Sequence, residues 1–141
     1  MEKKIYAFRY VSVLGNKLRR EFEKLSFPAA YSGAQGRILH FILTHPDQEL
    51  YQKDIEEEFC LRPPTATAVL KKMEENQFIR RIPSPHNGKY KQIVLNEKAQ
   101  QYKAQLFGDL SQLEQRLCKN ISEKDLAVWL RVMEQMMQNI G

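Results

Sequence analysis

Apolar residues along this chain fall into helical stripes that give way once to short β-prone runs. Phe8, Val11, Leu14, Leu18, Phe22 and Leu25 recur at intervals of three and four, the spacing of one helix face, and predict a long first helix that ends before Pro28. Ser32 followed by Gln35 has the form of a capping box. It opens a second helix with Ala34, Ile38, Phe41 and Ile42 on one stripe. That helix stops near His45, because Pro46 disfavours helical geometry in the residue before it. Beyond a polar turn, Ile55 and Phe59 mark the buried edge of a short third helix whose outer side, Glu56 to Glu58, is acidic. Pro63 and Pro64 fit only the first turn of a helix, where amide protons have no intrahelical acceptor, so a fourth helix begins there and runs to about Asn76.

The third and fourth helices are then separated by only about four residues, CLRP, the spacing of a helix-turn-helix. In the fourth, Ala66, Val69, Leu70 and Met73 face inward by period. Pro64, Thr65, Ala68, Lys71 and Lys72 face outward, with Thr67 on the flank. An exposed face that is small at its start and cationic at its end suits a helix lying in a DNA major groove. Two β-prone runs, FIRRI and KQIVL, follow on either side of SPHNGKY. Asn87-Gly88 predicts a type I′ hairpin turn, whose central residues both need positive φ. A hairpin directly after a helix-turn-helix is a wing. Its cations Arg80, Arg81, Lys89 and Lys91 are placed to meet phosphates, and its tip to enter a minor groove.

The remainder reads as two helices. Tyr102, Leu106, Leu110, Leu113 and Leu117 form a heptad-like seam, and Ser122 with Asp125 marks the start of a last helix striped by Leu126, Trp129, Leu130, Met133, Met137 and Ile140. A terminal stripe this apolar predicts a subunit interface shared with the first helix. The fold class expected is mainly α with a small β wing: one domain over 1–141, with a winged helix-turn-helix at 32–96 and helical dimerisation parts at 1–30 and 97–141.

Charge sharpens the picture. The chain has 141 residues, 43% of them hydrophobic, and a net charge of +5. All of the excess lies in residues 61–93, where Arg62, Lys71, Lys72, Arg80, Arg81, Lys89 and Lys91 face only Glu74 and Glu75, while the flanks balance. Clustered cations attract a polyanion and displace the counterions condensed on nucleic acid. The N-terminal segment is charged throughout and no stretch approaches the roughly 18 apolar residues of a membrane span, so a cytoplasmic protein is expected. Cys60 and Cys118 lack paired CxxC spacing and read as reduced, mostly buried thiols. His40, His45 and His86 lack the helical spacing of a metal pair, so no metal or other cofactor is expected. Nor is there a nucleophile with its base, a glycine-rich cofactor loop or a catalytic carboxylate pair.

In this order of elements the chain resembles the multiple antibiotic resistance regulator (MarR) family over nearly its whole length. The stretches that carry the resemblance are SGAQGRILHFI, LRPPTATAVLKKMEENQFIRR and QIVLNEKA. It implies a homodimeric transcriptional regulator, commonly a repressor on a palindromic operator, released by a small phenolic or apolar ligand or by an oxidant. Carried over by position, Arg62, Thr65, Thr67, Lys71 and Lys72 would meet the major groove and its phosphates, and Arg81 matches the basic residue that ends the first wing strand. Where the family usually has an Asp and then an Arg in the wing, this chain has Asn87 and Lys89. Lysine is a point charge without the planar guanidinium fork, which implies a weaker or less A·T-selective wing contact. The family's usual glycines before the wing and at the start of the fifth helix are Gln77 and Ala99 here. The ligand cleft would lie between the dimerisation helices and the winged helix, with Tyr10, Leu14, His40, Leu106 and Phe107 as candidate lining residues, and Cys60 is the candidate thiol for release by oxidation. The acidic third helix would repel DNA, and it supports the alternative of a winged helix that docks protein and has no operator.

Overall fold

A computed structural model describes residues 6–25 and 33–141, in the order α1 (Ala7–Glu23), α2 (Gly33–Leu43), α3 (Gln52–Glu58), α4 (Pro63–Glu75), β1 (Ile79–Pro83), β2 (Lys91–Leu95), α5 (Glu97–Gln100), α6 (Lys103–Leu117) and α7 (Glu123–Ile140). Mainly helical, with one two-stranded antiparallel sheet, it is the expected winged helix-turn-helix. The capping residue expected at Ser32 and the stop at Pro28 lie outside the described residues. By packing the chain divides into two units, Met1–Asp109 and Leu110–Gly141.

The core of the first unit is built on α2, α3, α4 and the sheet. Ile38, Leu39, Ile42, Leu43, Leu50, Ile55, Leu70, Met73, Phe78, Ile79, Ile93 and Leu106 are all buried. Leu39 and Leu43 replace the expected Ala34 and Phe41 on the inward face of α2, both of which are only half-buried. With Ile38, Leu39, Phe41, Ile42 and Leu43 nearly continuous, periodicity alone cannot select the stripe, and packing decides it. Phe41 instead meets Phe59 edge-on, centroids 5.8 Å apart.

Both ends of the helix-turn-helix close on a left-handed residue. At the end of α3, Cys60 has φ +50° and the Leu61 amide donates to Glu56 O at 2.9 Å. At the end of α4, Gln77 has φ +62°, its amide donates to Glu74 O at 3.0 Å, and the Phe78 amide donates to Met73 O at 3.0 Å. This is the paired pattern of a Schellman cap, and Met73 and Phe78 at its two ends are both fully buried. The cap exposes Cys60, against the expectation of a buried thiol, because a C′ side chain projects off the helix end. Since an L-residue in this region costs about 1–2 kcal/mol and glycine far less, Gln77→Gly is expected to raise stability by about 1 kcal/mol. A higher urea midpoint at unchanged slope would register it, and an unmoved midpoint would count against the cap.

Strand pairing runs from Ile79 opposite Leu95 to Pro83 opposite Lys91. Leu50 adds a bridge on the far side of β2, its carbonyl accepting from the Ile93 amide at 2.7 Å. The expected type I′ turn does not form. Neither Asn87 nor Gly88 has positive φ, and residues 84–90 make a longer loop closed by the Ser84 amide on Tyr90 O at 2.9 Å. The two helices expected after the wing form as α6 and α7, and a short α5 precedes them, joined to α6 where the ladder tightens to an i→i+3 bond, Tyr102 N to Ala99 O at 3.2 Å.

In the second unit, Ser122 caps α7 as its sequence predicts, its Oγ accepting from the Asp125 amide at 3.1 Å. No residue of α7 is buried. Trp129 is 48% exposed and Ile140 90%. Of the expected first-helix stripe, Phe8, Val11 and Leu14 are exposed, Phe8 at 87%, while Leu18 and Leu25 are half-buried and Phe22 is buried.

Candidate nucleic-acid interface

All the expected DNA-contacting residues except half-buried Arg81 are exposed, and some of them also have side-chain partners within the protein. Arg62 is the N-cap of α4. Thr65, Lys71 and Lys72 lie on the exposed side of α4, while Ala66, Leu70 and Met73 are fully buried on the other. Lys89 and Lys91 are exposed in the wing loop and at the start of β2. Thr65 and Ala68 leave the first half of the outer face of α4 without long side chains, so the backbone can approach a groove closely.

Thr67, Arg80, Arg81 and Asn87 have internal partners. Thr67 Oγ1 donates to Pro63 O at 2.9 Å and accepts from Gln52 Nε2 at 2.9 Å. Arg80 Nη1 donates to Asn96 Oδ1 at 2.9 Å, at the base of the wing. Asn87 Oδ1 accepts from the Lys89 amide at 3.1 Å and shapes the loop tip. Arg81 is half-buried. Its Nε lies 2.9 Å from Glu74 Oε1, an ion pair in which the N–H is not aimed at the carboxylate. Its Nη1 donates to Gln52 Oε1 at 3.3 Å.

Gln52, at the start of α3, is the residue that sequence reasoning missed. Its amide nitrogen also reaches Glu56 Oε2 at 3.1 Å and Pro63 O at 3.3 Å, and its oxygen holds Arg81. One side chain therefore joins α3, the first turn of α4 and β1. The only sequence signal was a long polar residue opening an otherwise acidic helix. Glu74, one of the two acids in the basic window, is paired with Arg81 and so removes net charge from the inner side of the wing.

A second set of side chains ties the wing loop to the segment before α3. Tyr51 Oη lies 2.7 Å from Ser84 Oγ and 3.1 Å from Glu49 Oε2. Ser84, 8% exposed, accepts from the amides of His86 and Asn87 at 3.1 and 3.2 Å. His86 Nε2 lies 2.9 Å from Glu49 Oε1.

A cavity of about 170 Å³ is bounded by Ile42, His45, Leu50, Gln92, Leu95 and Lys103 among others. None of the five candidate ligand-lining residues borders it. Of those five, His40 is half-buried and set edge-on to Phe107 at 6.3 Å. Burial, and then the nearby His45, push its imidazole below the ordinary value.

Residues 32–91 match the model of the MarR family. No curated protein matches the sequence. Among solved structures, the chain is similar to the transcription regulator MarR from Oenococcus oeni PSU-1, at 19% identity and TM-score 0.82 over 94% of this chain and 99% of that one. It is similar to S. aureus MepR, solved as a MepR-DNA complex, at 19% identity and TM-score 0.81 over 97% of each chain. The heme sensor protein PefR from Streptococcus agalactiae, solved in complex with heme, is 25% identical with TM-score 0.56 over 94% of this chain and 90% of that one. No described helix is long and apolar enough to cross a membrane.

Proposed function

From the premise that residues 32–91 belong to the MarR family of transcription regulators, we propose that this chain is a homodimeric, sequence-specific DNA-binding repressor of a palindromic operator, released by a small apolar or phenolic ligand or by an oxidant. The observation that carries the reading is that Arg62 at the N-cap of α4, Thr65, Lys71 and Lys72 on α4, and Lys89 and Lys91 on the wing are all exposed. In the major groove the small residues admit the helix and the lysines meet phosphates. The wing cations take the flanking backbone. Anisotropy titration against the duplex upstream of its own gene should show salt-sensitive binding, with log K falling by about 0.9 per neutralised phosphate for each tenfold rise in salt. Binding that does not distinguish this duplex from random sequence would overturn the reading and favour the protein-docking alternative, for which exposed Glu57 and Glu58 on α3 provide a surface.

Support for the dimer comes from the exposed apolar residues Phe8, Val11 and Leu14 of α1 and Trp129, Leu130, Met137 and Ile140 of α7, since clustered apolar surface marks an interface. Light scattering is expected to give twice the 16.6 kDa chain mass, and Trp129→Glu to shift the mass toward one chain. A single-chain mass for the unaltered protein would remove the dimer.

A further inference from the structure

We propose that Tyr51 is the positioning residue that fixes the wing loop for DNA contact, acting through Ser84 with Glu49 and His86 as an outer clasp. This rests on the DNA-binding reading above. The hydrogen-bond capacities allow one consistent chain. Both lone pairs of Ser84 Oγ are taken by the backbone amides of His86 and Asn87, so its proton goes to Tyr51 Oη at 2.7 Å. The Tyr51 hydroxyl then donates to Glu49 Oε2 at 3.1 Å. The other oxygen of Glu49 meets His86 Nε2 at 2.9 Å, returning the chain to the loop. Hydroxyls that donate and accept at once polarise one another, and removing one leaves a nearly buried group unpaired.

The anchor at the other end of this chain is rigid. Tyr51 is the N-cap of α3, and its own amide is held by Asp54 Oδ2 at 2.8 Å. The neighbouring Leu50 carbonyl is bonded to β2 through the Ile93 amide. The wing loop is thereby referenced to the helix-turn-helix at a residue 33 positions away in sequence. Residues 85–90 are otherwise exposed. The loop carries Lys89, whose amide is held by Asn87 Oδ1 at 3.1 Å, and Asn87 is in turn held by Ser84. Where Lys89 sits thus depends on Ser84, and Ser84 on Tyr51.

Tyr51→Phe deletes one oxygen and keeps the ring. Amide hydrogen exchange without DNA should quicken at His86 and Asn87, and unchanged exchange there overturns the clasp. Against the upstream duplex at 0.1 M salt, Tyr51→Phe should weaken binding several-fold and lower the salt slope by up to about 0.9 per wing, the loss of one phosphate contact. Reduced folding alone would not alter the slope. Because Tyr51 acts through the placement of Lys89, the double variant Tyr51→Phe, Lys89→Ala should bind no worse than Lys89→Ala. Additive losses, or an unmoved slope, overturn the positioning role. If the unaltered protein shows no preference for the duplex, the DNA reading falls, and the exchange comparison alone decides whether the clasp exists.

Discussion

Phe78→Ala is expected to lower stability by about 4 kcal/mol, the loss characteristic of deleting a fully buried phenyl ring and leaving a cavity. The residue has no solvent exposure and stands where three features converge. Its amide completes the cap of α4 on Met73 O, and its carbonyl accepts from the Asn96 amide at 3.0 Å, joining the helix end to the entry of α5. Lys98 Nζ lies 4.7 Å from its ring centroid while donating to Asn76 O at 3.0 Å. Those backbone bonds survive truncation to alanine, so the loss comes from packing and from the cation over the ring. Against a total of about 5–15 kcal/mol for a domain, this leaves a marginal fold. Urea denaturation would measure it. A loss below about 1.5 kcal/mol would mean that the surrounding side chains collapse into the space and that the junction between α4 and the wing is less tightly packed than described.

How much of this could be read from sequence depended on whether the signal was local. Pro63-Pro64 located the start of α4, and Ser122 located the start of α7, because a missing amide proton and a capping hydroxyl act within one turn. The exposed, graded face of α4 also followed from period alone. Asn87-Gly88 is equally local and still misled: Ser84, fixed by a tyrosine far away in sequence, holds the loop in another shape. The same limit hid Gln52. Its partner Arg81 is 29 residues away, and nothing in either segment indicates that the two meet. The resemblance assigns Arg81 and Thr67 to DNA by position, and what it does not tell is that both also meet Gln52, with Glu74 beside Arg81. The buried thiol expected at Cys60 failed for a backbone reason, since the turn needed a left-handed residue and cysteine occupies it.

The paired substitution Lys71→Ala, Lys72→Ala is expected to weaken DNA binding by about sixty-fold per winged helix at 0.1 M salt. Each cation that neutralises a phosphate contributes about 0.9 to the slope of log K against log salt, which at 0.1 M amounts to roughly eightfold per contact. These two adjacent lysines lie on the exposed face near the end of α4. Their loss should also reduce the slope by about 1.8 per winged helix, with stability unchanged because both are exposed. The wing supplies the comparison: Lys89→Ala removes one contact and should cost about eightfold. If Lys71 reaches a base edge rather than a phosphate, Lys71→Ala alone will narrow the gap in affinity between the upstream duplex and random sequence, whereas a phosphate contact lowers both equally. A paired loss below about fivefold with an unmoved slope would place these lysines off the DNA, and the positive charge of residues 61–93 would then act through Arg62 and the wing.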